Sequence, residues 1–354
     1  MNTKILARIA AGCLGAALLA ACAFAAFLIF PGQPGRANSL AFDGYIMLPR
    51  SRHFEALTIL DYLTVSQGNL FATNVSNGDV YRIALHGANL PAALSVATFS
   101  LQPAAHGVTV DPVSRLAFVT RSEANTVDVF DQSAMRLVKR ISVADDPDGI
   151  FYDSFDKLIY VANGDAGIVT LIDPTAKKVA ATIDLDGKPE FAVQDPRTGR
   201  FYQNLKDTNS IAVVDVAARS VAQRWPLVGC EAPTGIAMDA RDNRLFVGCS
   251  GNSVLAVFDL REHRVVKRIP VGGGPDSVAF DAGLNRIYVT GRSGILSVLQ
   301  QDTSDGWRVL DSVHLHYGAH TLTVDPQSHR VFVGYASLFT APRIAVFSAQ
   351  KMQG

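Results

Sequence analysis

The sequence is short of charge and carries no excess of either sign. Only 18% of its 354 residues are Asp, Glu, Lys or Arg, and 32 acidic residues balance 32 basic ones. An average globular chain holds about 25% charged residues. A general nucleic-acid binder shows a basic excess or stripe, so that class is excluded. Cysteine is scarce too. The four residues form no CxxC pair, no CxxCH run and no zinc-ligand spacing, so no haem-attachment or structural-zinc motif is present. There is no Walker loop, no serine nucleophile elbow and no HExxH run. The glycines at 272–274 lead through Pro275 into a strand pattern, with no helix N-terminus behind them to hold a phosphate, so they form a turn.

What the chain does have is apolar residues, 48% of the total, enough for a sizeable core. One long apolar run stands at the start, from Ile9 to Phe30, preceded by Lys4 and Arg8 and ended by Pro31 and Gly32. At ~1.5 Å per residue this run spans ~33 Å, the thickness of a bilayer hydrocarbon core. The flanking positive charges stay cytoplasmic, which sends the rest of the chain across the membrane. Residues 1–32 are therefore expected to be a signal anchor or signal peptide. The expected location is periplasmic or cell-surface, with a tether to the inner membrane through residues 9–30. Two alternatives give the same compartment. Leu19 to Cys22 (LAAC) matches a lipobox and would make a lipoprotein at Cys22, whereas cleavage near Ala25 or Ala37 would release the protein.

After a linker at 33–39, self-similarity dominates. Six segments align: HGVTVD from His106, DGIFYD from Asp148, EFAVQD from Glu190, TGIAMD from Thr234, DSVAFD from Asp276 and HTLTVD from His320. A degenerate seventh, DYLTVS, starts at Asp61. The spacing of 42–45 residues is that of a four-stranded propeller blade, and no repeat shows a helical period. Each opening segment alternates, as a first strand with one packed face does. A turn beginning with Asp follows, and seven residues after that Asp stands an aromatic: Phe118, Tyr160, Tyr202, Phe246, Tyr288 or Phe332. A third strand, often ending in Asp, and a polar outer strand complete each unit. The last repeat stops after its third strand, Arg343 to Ser348, and the segment near Tyr45 to Leu48 is expected to supply the fourth. The expected fold is all-β: one seven-bladed propeller over residues 40–350, closed by an N-terminal strand and preceded by the N-terminal helix.

Tyr160 to Asn163 (YVAN) and Tyr288 to Thr290 (YVT) resemble the YVTN repeat, and Pro147 to Ile150 and Gly274 to Ser277 occupy its loop-to-first-strand position. The chain resembles the YVTN-repeat (YncE-type) seven-bladed propellers over nearly everything after residue 40. The resemblance implies the fold. It implies no single function, because propellers serve as binding scaffolds, lyases, lactonases and cofactor enzymes.

The first residue of each first strand is expected to rim one mouth of the central channel, joined there by the ends of the second strands. The candidate ligand-binding residues are Asp61, His106, Arg121, Asp148, Asn163, Glu190, Asn204, Asp276, Arg292 and His320. Ring closure places His320, Asp61 and His106 side by side, as candidate ligands of a divalent metal. Without a metal, closely spaced carboxylates push their pKa values apart and take acid and base roles. The plain alternative is a solvated rim. Cys230 and Cys249 fall on one blade at the mouth face, placed for a disulfide, with two buried free thiols as the alternative. The expected function is binding of a small molecule, metal ion or envelope protein at the mouth by a monomeric propeller that meets the membrane only through its N-terminal segment. A metal-dependent, lactonase-like hydrolase or a lyase at the same mouth is the alternative, and a protein-interaction scaffold of the cell envelope the second.

Overall fold

A computed structural model describes residues 33–50, 57–85, 95–100, 104–316 and 318–350. The apolar run Ile9 to Phe30, and with it Cys22, lies outside these residues. Among the described residues no helix is long and apolar enough to cross a membrane.

The strands form seven separate antiparallel sheets. The first strands are Leu57–Ser66, Val108–Val110, Pro147–Tyr152, Pro189–Gln194, Pro233–Asp239, Pro275–Asp281 and Thr321–Asp325, in blades 1 to 7. Each touches the first strand of the next blade round a complete circle, the seventh meeting the first. They surround the axis. The fourth strands lie outermost, and Arg136–Ser142 shows why they suit that place: all its residues but Ile141 are exposed, with Lys139 and Arg140 opposing edge-to-edge pairing. Blade 7 combines both ends of the described chain. Its order from the axis is Thr321–Asp325, Arg330–Gly334, Arg343–Ala349 and Leu40–Met47, with Leu40 opposite Ala349 and Met47 opposite Arg343.

The repeated residues explain the repeated structure. All six turn aspartates bond their own turn: Asp111, Asp153, Asp195, Asp239, Asp281 and Asp325 each accept from the backbone N–H two residues on, at 2.9–3.1 Å. The second-strand aromatics fill the space between neighbouring sheets. Phe118, Tyr160, Phe246, Tyr288 and Phe332 are fully buried, and Tyr160 of blade 3 stacks on Phe201 of blade 4 at 4.2 Å. Seven apolar clusters of this kind make up the core. In blade 5, Cys230 and Cys249 form a disulfide with Cα atoms 5.1 Å apart, pinning the loop before the first strand to the end of the second.

Leu40 and Ile46 are 3% and 2% exposed on the outer strand of blade 7. Burying two such side chains contributes about 3–6 kcal/mol. A chain that starts after Leu48 is therefore expected to lose about that much unfolding free energy and to unfold at a lower urea midpoint, whereas one starting at Asn38 keeps the full value. Equal midpoints for the two truncations in urea would show that this strand does not hold the ring.

Candidate functional site

In five blades the first strand slips register near its start: between Leu60 and Leu63, Pro147 and Ile150, Pro189 and Ala192, Pro233 and Ile236, and Pro275 and Ser277. Asp61, Asp148, Glu190, Thr234 and Asp276 sit in these irregularities, and His106 and His320 stand just before the first strands of blades 2 and 7. A bulge re-aims a side chain and releases its backbone from the ladder. The neighbouring blade takes up carbonyls at this level. Thr120 Oγ1 donates to Asp148 O, Asn204 Nδ2 to Thr234 O, Thr234 Oγ1 to Pro275 O and Thr290 Oγ1 to His320 O, each at 2.7 Å.

Asp61, His106, Asp148, Glu190, Asp276, Arg292 and His320 together line one cavity of about 590 Å³ at the channel mouth. Arg121, Asn163 and Asn204 do not. Arg121 is 1% exposed, donates to Gly78 O at 3.4 Å and stands 3.9 Å from Asp128. Asn163 is spent inside its own blade on Val161 O, Ile168 O and Thr170 Oγ1, and Asn204 ties blade 4 to blade 5. All three lie within their strands, where side chains are sandwiched between sheets. The channel-facing position comes later, four residues after the second-strand aromatic. It holds Val75, Lys206, Arg292 and Ala336, which all line the cavity. Counting from the aromatics would have found Lys206. Thr234 is also absent from the lining, buried between blades 5 and 6.

The floor was missed as well. Tyr62 and Phe191, from blades 1 and 4, stack across the channel with centroids 4.7 Å apart and planes 8° from parallel. Five blades carry Gly107, Gly149, Gly235, Ser277 or Thr321 at the same repeat position, so two large aromatics there are a legible signal. Gly149 makes the room: a Cβ on it would stand 3.2 Å from Tyr62 Oη. Below the pair the channel continues as a second cavity of about 470 Å³, lined by no Asp, Glu, Lys, Arg or His. Tyr62 and Phe191 are the two residues that line both cavities.

Charges in the mouth are strongly interdependent. His106 Nδ1 is 2.9 Å from Asp61 Oδ2 and 3.5 Å from Asp148 Oδ1. His320 Nε2 is 3.6 Å from Asp61 Oδ1, while its Nδ1 donates to Gly318 O at 2.9 Å. Lys206 Nζ donates to Glu190 Oε1 at 2.5 Å. Burial opposes ionisation of Asp61, but the hydrogen bonds and charges of His106 and His320 outweigh it and hold its carboxyl well below the usual range. The two imidazoles are likewise opposed by burial and lifted to about 9, His106 by Asp61, Asp148 and Asp146 and His320 by Asp61 and Asp276. Asp148 moves the other way, to about 7, through burial and the charge of Asp61, against the pull of His106. Burial also raises Glu190 and Asp276. Two charged imidazoles thus share one carboxylate while a second carboxyl holds its proton to near neutrality.

One oxygen each from Asp61 and Asp148 and one nitrogen from His106 lie within 4.8 Å of one another and could hold a divalent cation. His320, expected in that set, is not among the three.

No protein-family model and no curated protein matches the chain. Among solved structures, hydrazine synthase of Kuenenia stuttgartiensis superposes with a TM-score of 0.70, covering 81% of this chain and 96% of that one at 16% identity. The likeness shows a shared propeller fold.

The pH dependence has a definite sign. A histidine pKa raised from 6.5 stabilises the fold fully below 6.5, a contribution lost as pH rises through about 9. A lowered Asp61 contributes above its usual 3.8 and loses that contribution as pH falls. The raised Asp148 favours the fold below 3.8 and ceases to do so as pH climbs through about 7. Asp61→Asn is therefore expected to lower the melting temperature most between roughly pH 4 and 6.5 and little above pH 9. Ring proton shifts of His106 and His320, followed by NMR in chelator-treated protein, should titrate near 9 in the wild type and markedly lower in Asp61→Asn. Wild-type midpoints near 6.5 would contradict the arrangement.

Proposed function

We propose that this protein is an extracytoplasmic propeller that binds a small polar molecule at the mouth of its channel. The observation that carries the proposal is the cavity itself. Its volume of about 590 Å³ suits a small molecule, an aromatic pair closes it below, and seven ionisable side chains from six blades, with Lys206, converge on it. A merely solvated rim has no need of a floor. Lys4, Arg8 and the apolar run 9–30 support an extracytoplasmic location, and the Cys230–Cys249 bond suits an oxidising compartment. The YVTN-like segments support the same kind of scaffold.

A thermal-shift screen of amino acids, amines, sugars, nucleosides and organic acids tests the proposal. At a hundred times its Kd a ligand adds about 2.7 kcal/mol, so a shift of about 5 °C is expected from at least one class. Val75→Trp, which fills the mouth, should abolish it. If no compound shifts the wild type more than it shifts Val75→Trp, the mouth is not a binding site.

The grouping of Asp61, His106 and Asp148 within 4.8 Å favours a second reading, a bound divalent cation, on which a lactonase-like hydrolase or a lyase would depend. That reading requires one metal per chain by elemental analysis, lost in His106→Ala and kept in His320→Ala. Purified protein that retains no stoichiometric metal after incubation with zinc, manganese or calcium removes it.

A further inference from the structure

One wall of the mouth departs from the sevenfold pattern. In blades 3, 4 and 6 the first strand begins one residue before its acidic mouth residue, at Pro147, Pro189 and Pro275. In blade 1 it begins at Leu57, four residues before Asp61. The extra length pairs with a short strand, Ala336–Leu338, with Leu57 opposite Leu338 and Ile59 opposite Ala336. That short strand comes from a blade 7 loop of eight residues, 335–342, where the equivalent loops of blades 3, 4 and 5 have four. Leu57, Ile59, Val75 and Ala336 consequently form an apolar wall on the side of blades 1 and 7. Asp148, Glu190, Lys206, Asp276 and Arg292 occupy the rest of the perimeter.

Three acceptors inside the cavity are short of donors. Tyr62 is 7% exposed, and its hydroxyl makes no hydrogen bond among the described residues. Asp276 makes neither a side-chain hydrogen bond nor an ion pair among them. The nearest cation to Asp148, His106 Nδ1 at 3.5 Å, is already closer to Asp61 at 2.9 Å. Glu190, by contrast, has Lys206. A ligand that covers these groups strips their water, and leaving a polar group buried without a partner costs about 1–3 kcal/mol, so a ligand that supplies N–H donors here is favoured. An ammonium carries three donors and no acceptor, which matches groups of this kind. The apolar wall asks for something more, a body that replaces water against Leu57, Ile59, Val75 and Ala336.

We propose that the mouth takes an amphipathic primary amine, its ammonium received by Asp148, Asp276 and the Tyr62 hydroxyl and its aliphatic or aromatic body laid against the apolar wall. The inference rests on the small-molecule reading of the mouth and names the class of molecule. Arg292 is exposed at the rim and reaches Asp276 through its charge, without a hydrogen bond or ion pair among the described residues.

The test compares four probes by calorimetry and saturation-transfer NMR on the full-length chain: 2-phenylethylamine, 2-phenylethanol, 3-phenylpropionate and methylammonium. A charge-assisted hydrogen bond contributes about 1.5–3 kcal/mol, so 2-phenylethylamine should bind about 10- to 100-fold more tightly than the alcohol of the same shape. Methylammonium, lacking the body, should bind at least about tenfold more weakly than 2-phenylethylamine. The isosteric Asp148→Asn, Asp276→Asn double variant should erase the advantage of the amine over the alcohol, and Leu57→Ser should weaken the amine while leaving methylammonium unchanged. Equal binding of the alcohol, preference for the carboxylate, or amine affinity untouched by the double variant overturns the amine class while leaving a mouth that binds. Failure of all four probes overturns it too, and the thermal screen then decides separately whether the mouth binds anything.

Discussion

Carbonyls near the start of the inner strands are held from outside their own sheets. Where the register slips, the ladder cannot satisfy every backbone group, and a buried carbonyl without a partner is costly. Thr120, Asn204 and Thr234 supply donors to such carbonyls across blade boundaries, and Thr290 does the same for His320 just before the first strand of blade 7, each at 2.7 Å. These bonds join blades 2 to 3, 4 to 5, 5 to 6 and 6 to 7, and they sit at the level of the mouth. The ring and the site therefore depend on the same contacts. Glycine serves the same level: a Cβ on Gly107 would lie 2.5 Å from Asp148 O, and one on Gly235 would lie 2.6 Å from Asp276 O.

This coupling explains why the mouth can concentrate charge. The backbone of Asp148 and of His320, and that of Pro275 beside Asp276, is fixed by a neighbouring blade, which limits how far mutual repulsion can spread these groups. The groups respond by moving protons. Asp61 takes the full charge and draws both imidazoles up to about 9, while Asp148 moves to about 7.

The channel has two halves of opposite character, divided by a single aromatic stack. Above Tyr62 and Phe191 lie the charged groups; below them the lining has no charged residue. The division costs the sevenfold repeat little, since two positions become aromatic and Gly149 opposite stays small. Specialisation shows in the departures from the repeat, namely this pair, the lengthened first strand of blade 1 and the eight-residue loop of blade 7.

The sequence by itself determined the blade. The 42–45-residue spacing, the turn aspartates and the aromatics seven residues later are local signals, because a strand's alternation and a turn's hydrogen bond are set by near neighbours. It also determined that Asp61, His106, Asp148, Glu190, Asp276 and His320 share a face, since equivalent repeat positions become equivalent places in space. Tertiary structure decided the rest. Whether a side chain two to four residues past the aromatic meets the channel or the space between sheets depends on where its strand ends, which placed Lys206 in the mouth and withdrew Arg121, Asn163 and Asn204. Which carboxylate ionises and which retains a proton depends on distances of 2.9–3.6 Å between residues of different blades, and such distances exist only once the circle has formed.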